Sequence, residues 1–261
     1  MKRVITLGFF DGVHRGHNAI LKNVLKVAGK NKMKPLAVTF ERVGGAKDHS
    51  AGVLSPFEEK KRLIRAAGIT DVINVRLTAK IKQMSADLFF KKFLLKKYNA
   101  GYVVVGDDFR FGRDKSGDVS LLSKLCKLHG VGFLSVKTLK QGRKKISSSK
   151  VRELVAKGRI EEANHLLGRR YSLTGRVMPG HGFGKHLGFP TANLSIVREK
   201  LLPRGVFSGT AVIGNNRYNS VINIGKRPTF GSSGALVPEM HLSGFSGTLL
   251  GKKITFYFSK K

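Results

Sequence analysis

Apolar residues along the first part of the chain come in two alternating textures. Short unbroken apolar runs at residues 4–7, 36–40, 72–75, 102–105 and 133–136 have the length expected of strands buried on both faces. Between most of them, apolar residues recur at helical spacing. Ile20, Leu21, Val24, Leu25 and Ala28, for example, form one stripe along a helix. A helix start is predicted where Ser55, Pro56 and Glu58 supply an N-cap, a first-turn proline and a capping-box partner. Alternation of strand and helix predicts a Rossmann-like α/β domain, a parallel sheet covered on both faces with ligands beyond the carboxyl ends of its strands. From about Tyr171 the helical stripes stop. Short β-rich pieces at 171–177, 207–213, 219–222 and 253–258 take over, and the last 92 residues hold 14 of the 31 glycines and five of the seven prolines. That texture predicts a small, closed or nearly closed β-barrel. With a last helical segment at 160–167 before the change, the expected domains are 1–169 and 170–261.

Composition supports two compact domains, since 261 residues with 41% hydrophobic content can bury substantial cores and do not describe a disordered chain. The apolar stretch after Met1-Lys2-Arg3 is too short for a signal peptide and no run of 18 apolar residues occurs, so a cytoplasmic location is expected. The lone Cys126 lies among Leu121, Leu122 and Leu125 in a helical pattern and reads as a core residue. A formal charge of +33 will attract polyanions in a salt-dependent way. The charge is spread over pairs and triplets such as Lys60-Lys61-Arg62 and Arg143-Lys144-Lys145. Nonspecific RNA association is therefore expected, with no membrane surface and no specific protein partner.

Candidate chemistry concentrates in residues 4–17, V-I-T-L-G-F-F-D-G-V-H-R-G-H. An apolar strand stops at Gly8, an Asp11-Gly12 turn follows, and His14 and His17 stand where a helix begins. Backbone N–H groups in the first helical turn lack intrahelical partners and sit at the positive end of the dipole, which favours an anion. Gly12 and Gly16 let a ligand approach the backbone, and the His14/His17 spacing lets both rings face one site. Together these features make a grip for a nucleotide triphosphate. Further on, residues 103–112 run from a strand into the charged and aromatic loop Gly106-Asp107-Asp108-Phe109-Arg110-Phe111-Gly112, placed as an active-site rim would be. In Ile146-Ser147-Ser148-Ser149-Lys150-Val151-Arg152, hydroxyls can cap a helix that carries Arg152 on the same side. The second domain has Gly184-Lys185-His186-Leu187-Gly188-Phe189-Pro190-Thr191-Ala192-Asn193, combining phosphate-approachable glycines, a proline turn and two oxygen donors spaced to meet one Mg²⁺.

These strings resemble the signatures of the bacterial bifunctional riboflavin kinase/FMN adenylyltransferase (FAD synthetase) family. G-x-F-D-G-V-H-x-G-H is similar to its nucleotidyltransferase motif, residues 106–112 to its G-D-D-F-R-F-G, residues 146–152 to its I-S-S-x-x-x-R, and residues 184–193 to its G-R-x-L-G-F-P-T-A-N. Residues 223–229 match its N-I-G-x-R-P-T, and Glu239-Met240-His241-Leu242 its E-x-H-L. The resemblance implies an adenylyltransferase site with His14 and His17 as catalytic residues and Gly8, Phe9, Gly16, Ser148, Ser149 and Arg152 around ATP. Asp107, Asp108, Phe109 and Arg110 would line the flavin. It further implies a kinase site with Glu239 as base, Gly184, Lys185, Pro190 and Thr191 on ATP, and Thr191 and Asn193 on the metal, while His241 is structural. Riboflavin plus ATP would give FMN, FMN plus ATP would give FAD and pyrophosphate, and both steps would need Mg²⁺.

The chain departs from the family where relatives read E-x-H-L-L-D-F-x-G-D-L-Y-G, because residues 243–251 lack both aspartates and the tyrosine. Lys185 also replaces an arginine, keeping charge but losing fork geometry. The barrel is expected to be short at its C-terminus, without the helical segment that covers the flavin in relatives. A monofunctional FMN adenylyltransferase with a weakened kinase barrel is thus an alternative. A basic nucleic-acid-binding protein on an enzyme fold is a more distant one.

Overall fold

A computed structural model describes residues 1–42, 52–142, 144–179, 191–226 and 236–261. The chain divides into two compact units, Met1–Ser50 with Ser55–Ser147, and Ala51–Leu54 with Ser148–Lys261.

The first unit is built on the strands β1 (Arg3–Gly8), β2 (Lys34–Arg42), β3 (Asp71–Leu77), β4 (Ala100–Gly106) and β5 (Gly132–Val136), all parallel, in the order β3-β2-β1-β4-β5. Each apolar run is continuous because alternate side chains enter different cores. Val4, Ala37 and Val104 pack on one face with Leu21, Val24 and Ala28 of α1 (Arg15–Lys30) and Ile64 of α2 (Phe57–Ala66). Ile5, Leu36, Val38 and Val103 pack on the other, under the short α3 (Ala79–Lys82), α4 (Ala86–Phe89) with the π-helical turns Phe90–Lys97 that extend it, and α5 (Val119–Leu128). Cys126 lies in this second core with no exposure, and burial pushes its thiol up to about 12. Strand order reverses direction between β1 and β4, so the ends of these two strands form the switch point at which such sheets hold ligands.

The expected start of α2 is corrected by one residue. Pro56 occupies the N-cap position without a side-chain cap, Ser55 Oγ reaches Glu59 at 3.5 Å, and Glu58 and Glu59 supply the first-turn acids. The Ser55 backbone N–H is committed to Asp11, so it is not open to the Glu58 carboxylate that a capping box would place on it. A two-stranded ribbon, β6 (Lys140–Gln141) and β7 (Lys144–Lys145), completes this unit.

In the second unit, α6 (Ser148–Ala156) and α7 (Ile160–Leu167) precede a closed antiparallel barrel. Among the described residues it comprises β8 (Ser172–Met178), β9 (Thr191–Ile196), β10 (Gly205–Ile213), β11 (Asn216–Lys226), β12 (Leu236–Leu242) and β13 (Lys253–Lys260), ordered β10-β11-β12-β9-β8-β13. Leu173, Leu194, Phe207, Ile222, Met240 and Phe256 fill its interior. Asn164 of α7 ties helix to barrel, accepting from the Tyr171 N–H at 2.6 Å and donating to the Phe258 carbonyl at 3.1 Å. Residues 51–54 join this unit as well: the Val53 N–H donates to Glu199 (2.7 Å), Val53 accepts from the Leu201 N–H (2.8 Å), and buried Lys200 donates to the Leu54 carbonyl (2.6 Å).

Candidate functional site

The first site grows out of the end of β1. After Gly8 the chain turns sharply, with Phe10 (φ 47°), Gly12 (φ 80°) and Val13 (φ 38°) in the left-handed region. For Phe and β-branched Val this costs about 1–3 kcal/mol each, and burial of both side chains, at 1% and 2% exposure, opposes it. The loop is also fastened from below. Asp11 Oδ1 accepts the Ser55 N–H at 3.1 Å, and Thr39 Oγ1 donates to the Phe9 carbonyl at 3.1 Å. Lys60 Nζ in turn donates to Thr39 Oγ1 at 3.2 Å.

The loop delivers His14 to the N-cap of α1, where its Nδ1 accepts the His17 backbone N–H at 3.3 Å. Since Nδ1 is an acceptor, the ring proton sits on Nε2, and His14 presents an Nε2–H donor. The rings of His14 and His17 stack 3.7 Å apart at 16°, with Phe10 edge-on to His17 at 5.2 Å. Gly16 is required by this stack, for a Cβ there would stand 3.1 Å from the His14 ring. The predicted pair is therefore one unit of imidazole donors at a helix N-terminus, beyond β1.

At the end of β4, beside β1, Gly106 leads into Asp107, Asp108, Phe109 and Arg110. Asp107 accepts from the Thr138 backbone N–H at 3.0 Å and from its hydroxyl, bonds that hold its carboxyl below the usual range. Asp108 pairs with Lys145 of β7, and Arg110 with Asp118 at 3.5 Å. Both aspartates are thus tied to the segment that carries the β6–β7 ribbon. Phe109 stacks on Phe111 at 5.8 Å and 13°, and Phe9, 43% exposed, lies 6.0 Å from Phe40.

Ser148, Ser149 and Arg152 lie on α6 of the second unit, with Arg152 folded back onto Ser149 Oγ at 3.3 Å. Gly184, Lys185 and Pro190 lie outside the described residues, as do residues 227–229 of the 223–229 motif. Thr191 opens β9. On the barrel, Asn193 is paired in register with Glu239 of β12, and Glu239 with Asn223 of β11. The three share the outward face, flanked by the inward Ala192, Met240 and Ile222. Thr191 is likewise opposite His241. Asn193 Oδ1 is buried with no hydrogen-bond partner among the described residues, an oxygen donor facing a carboxylate across the ladder. That donor set fits a hard divalent cation.

The sequence did not mark Thr39, Lys60 or Thr138 for the site, and it marked Asp11 only as a turn residue. Lys60 was hidden in a charge triplet, although its four-residue spacing from Ile64 on one helix face was a signal.

The parallel sheet with its stacked histidine pair and the closed barrel with its Asn-Glu-Asn row define a protein of two units, an α/β nucleotide-binding type of sheet and a small β-barrel. The FAD synthetase family model matches residues 1–150 and the riboflavin kinase model residues 167–261. The bifunctional riboflavin kinase/FMN adenylyltransferase of Escherichia coli K12 is 33% identical over 99% of this chain and 83% of its own length. That of Buchnera aphidicola from Schizaphis graminum is 32% identical over 98% and 84%. The chain belongs to this bifunctional family. A crystal structure described as a macrolide-efflux protein from Streptococcus pneumoniae, 24% identical, covers 100% of this chain and 86% of its own with a TM-score of 0.90, and shares the fold.

Proposed function

We propose that this protein makes FAD from riboflavin in two ATP-dependent steps, phosphorylation on the barrel and adenylylation on the α/β unit. The observation that carries the reading is the stacked His14–His17 pair at the N-terminus of α1, beyond β1. In the adenylyl step, a phosphate oxygen of FMN attacks the α-phosphorus of ATP, the bond to the bridging oxygen breaks, and pyrophosphate leaves. The His14 Nε2–H, His17, the α1 N–H groups and the backbone of Gly8, Phe9 and Gly16 steady the charge that accumulates on the phosphates. By motif, Ser148, Ser149 and Arg152 belong to the residues that serve ATP in this step. Phe109 and Arg110 line the flavin. Asp107 and Asp108 act through the segments they fasten, Thr138 and Lys145.

In the kinase step Glu239 takes the proton of the riboflavin 5′-hydroxyl as its oxygen attacks the γ-phosphorus and ADP leaves. Thr191 and Asn193 would hold Mg²⁺, which would supply charge neutralisation at the transferred phosphoryl group. Gly184, Lys185 and Pro190 belong to the same ATP site by motif. Because both steps consume ATP, we place the protein in the cytoplasm, where its +33 charge also draws RNA nonspecifically. No helix among the described residues is long and apolar enough to cross a membrane.

The test is incubation of the purified protein with Mg-ATP and either riboflavin or FMN, followed by chromatography of the flavins. FMN and FAD from riboflavin, and FAD from FMN, are the expected products. FAD from FMN with nothing from riboflavin would leave adenylyl transfer alone. No flavin product with salt-resistant RNA binding would overturn the reading.

A further inference from the structure

Lys60 is 8% exposed, whereas on the same helix Lys61 is half-buried and Arg62 is exposed. Its only hydrogen-bond acceptor among the described residues is the neutral Thr39 hydroxyl, at 3.2 Å. An ammonium withdrawn from water with a single neutral acceptor is costly, and an apolar side chain of the same length would fill the space more cheaply. Charge at this position therefore calls for a use. The direction of the chain supplies it. Thr39 commits its one proton to the Phe9 carbonyl, so it meets Lys60 only as an acceptor, and a cation on that oxygen polarises the hydroxyl and strengthens its bond to Phe9. Phe9 adjoins Phe10, the first left-handed residue of the loop, and Asp11 fastens the same loop to Ser55. Desolvation lowers the Lys60 pKa, while the negative charges of Asp11 and Glu41 act to raise it.

We propose that Lys60 is a positioning residue of the adenylyl-transfer site. Through Thr39 it fixes the Phe9 carbonyl, so that residues 9–14 keep the backbone shape that grips the triphosphate of ATP. This rests on the function proposed above, and it assigns to the α/β unit a buried charge that acts on the loop from behind rather than on the substrate.

The full-length Lys60→Met, Lys60→Arg and Thr39→Val variants test it, with FAD formation from FMN measured over a range of ATP concentrations. Riboflavin phosphorylation in the same preparations serves as the internal control. Lys60→Met is expected to raise the ATP KM for FAD formation about tenfold or more with kcat within about threefold. Thr39→Val should do likewise, the double variant should be no worse than the poorer single one, and Lys60→Arg should recover part of the loss. Riboflavin phosphorylation should stay within about twofold of the parent. A loss of kcat that tracks the folded fraction, at unchanged KM, would assign Lys60 to packing and overturn the inference. So would unchanged kinetics. Should Lys60→Met not fold, Thr39→Val removes only the hydroxyl, and an unchanged ATP KM in that variant overturns the relay. If the parent protein forms no FAD, the functional reading fails separately. The inference is then judged by calorimetric titration with Mg-ATP, taking the binding phase abolished by His17→Ala; an unaltered Kd in Lys60→Met would sink it.

Discussion

The cap that His14 supplies and the role proposed for it in adenylyl transfer can be separated by substitution. Its Nδ1 caps the helix by accepting the His17 N–H, and its Nε2–H is the donor proposed for the triphosphate. Asparagine is an excellent N-cap, so His14→Asn should keep the thermal midpoint within roughly 3 °C of the parent while lowering FAD formation about a hundredfold. His14→Ala should lose both. Equal losses of stability in the two variants would show that the cap is not what His14 supplies. On the barrel, Glu239 shares its face with Asn193 and Asn223. Glu239→Ala is expected to abolish most FMN formation from riboflavin and to spare FAD formation from supplied FMN, read in one chromatographic assay. At this scale the motif residues were legible, because glycines, histidines and a Pro-Thr turn in fixed order are improbable by composition alone. Lys60 and Thr39 were not. A charge run reads as a solvated face, and only the packing of α2 reveals that one member of Lys60-Lys61-Arg62 points inward.

Elements of the sheet were easier to read than those of the barrel for a reason of period. A strand buried on both faces is a plain apolar run, and the five runs became the five parallel strands, each extended by one or two residues at one or both ends. β9 and β12 alternate polar and apolar residues, Thr191-Ala192-Asn193-Leu194 and Glu239-Met240-His241-Leu242, so the site residues themselves interrupt the hydrophobic signal. The rest of the barrel depends on glycines that no pattern marks as tight. A Cβ on Gly209 of β10 would stand 2.2 Å from the Tyr257 carbonyl oxygen and 2.6 Å from the Phe256 ring. Neither backbone nor a buried ring can yield cheaply. Gly209→Ala should therefore destabilise the barrel by about 1–3 kcal/mol, visible in calorimetry as a lower unfolding transition together with earlier thermal loss of FMN formation. Gly29→Ala is the contrasting case, since nothing lies within 4 Å of a Cβ at that position of α1. It should stabilise by up to about 1 kcal/mol through helix propensity alone.

For the molecule as a whole, a charge of +33 is a field rather than a site, and the two reactions sample it differently. ATP and FMN are anions and are drawn in by it, whereas riboflavin is neutral and is not. Raising salt from 50 to 200 mM shortens the Debye length to less than about 10 Å and should remove most of this attraction. The KM values for ATP in both reactions and for FMN in the second should rise with salt, while the KM for riboflavin stays flat. RNA held by the same field should be released over the same range, its affinity falling about a thousandfold if some six or more phosphates are engaged. These outcomes come from one cause and must move together. A riboflavin KM that rose in step with that of FMN would locate the salt effect in the fold or in the chemistry of transfer. RNA binding that outlasted the change in FMN KM would require an organised contact surface, which the scattered pairs and triplets of lysine and arginine do not provide. The field would then have to be treated as a binding site in its own right, with flavin chemistry as its neighbour rather than its purpose.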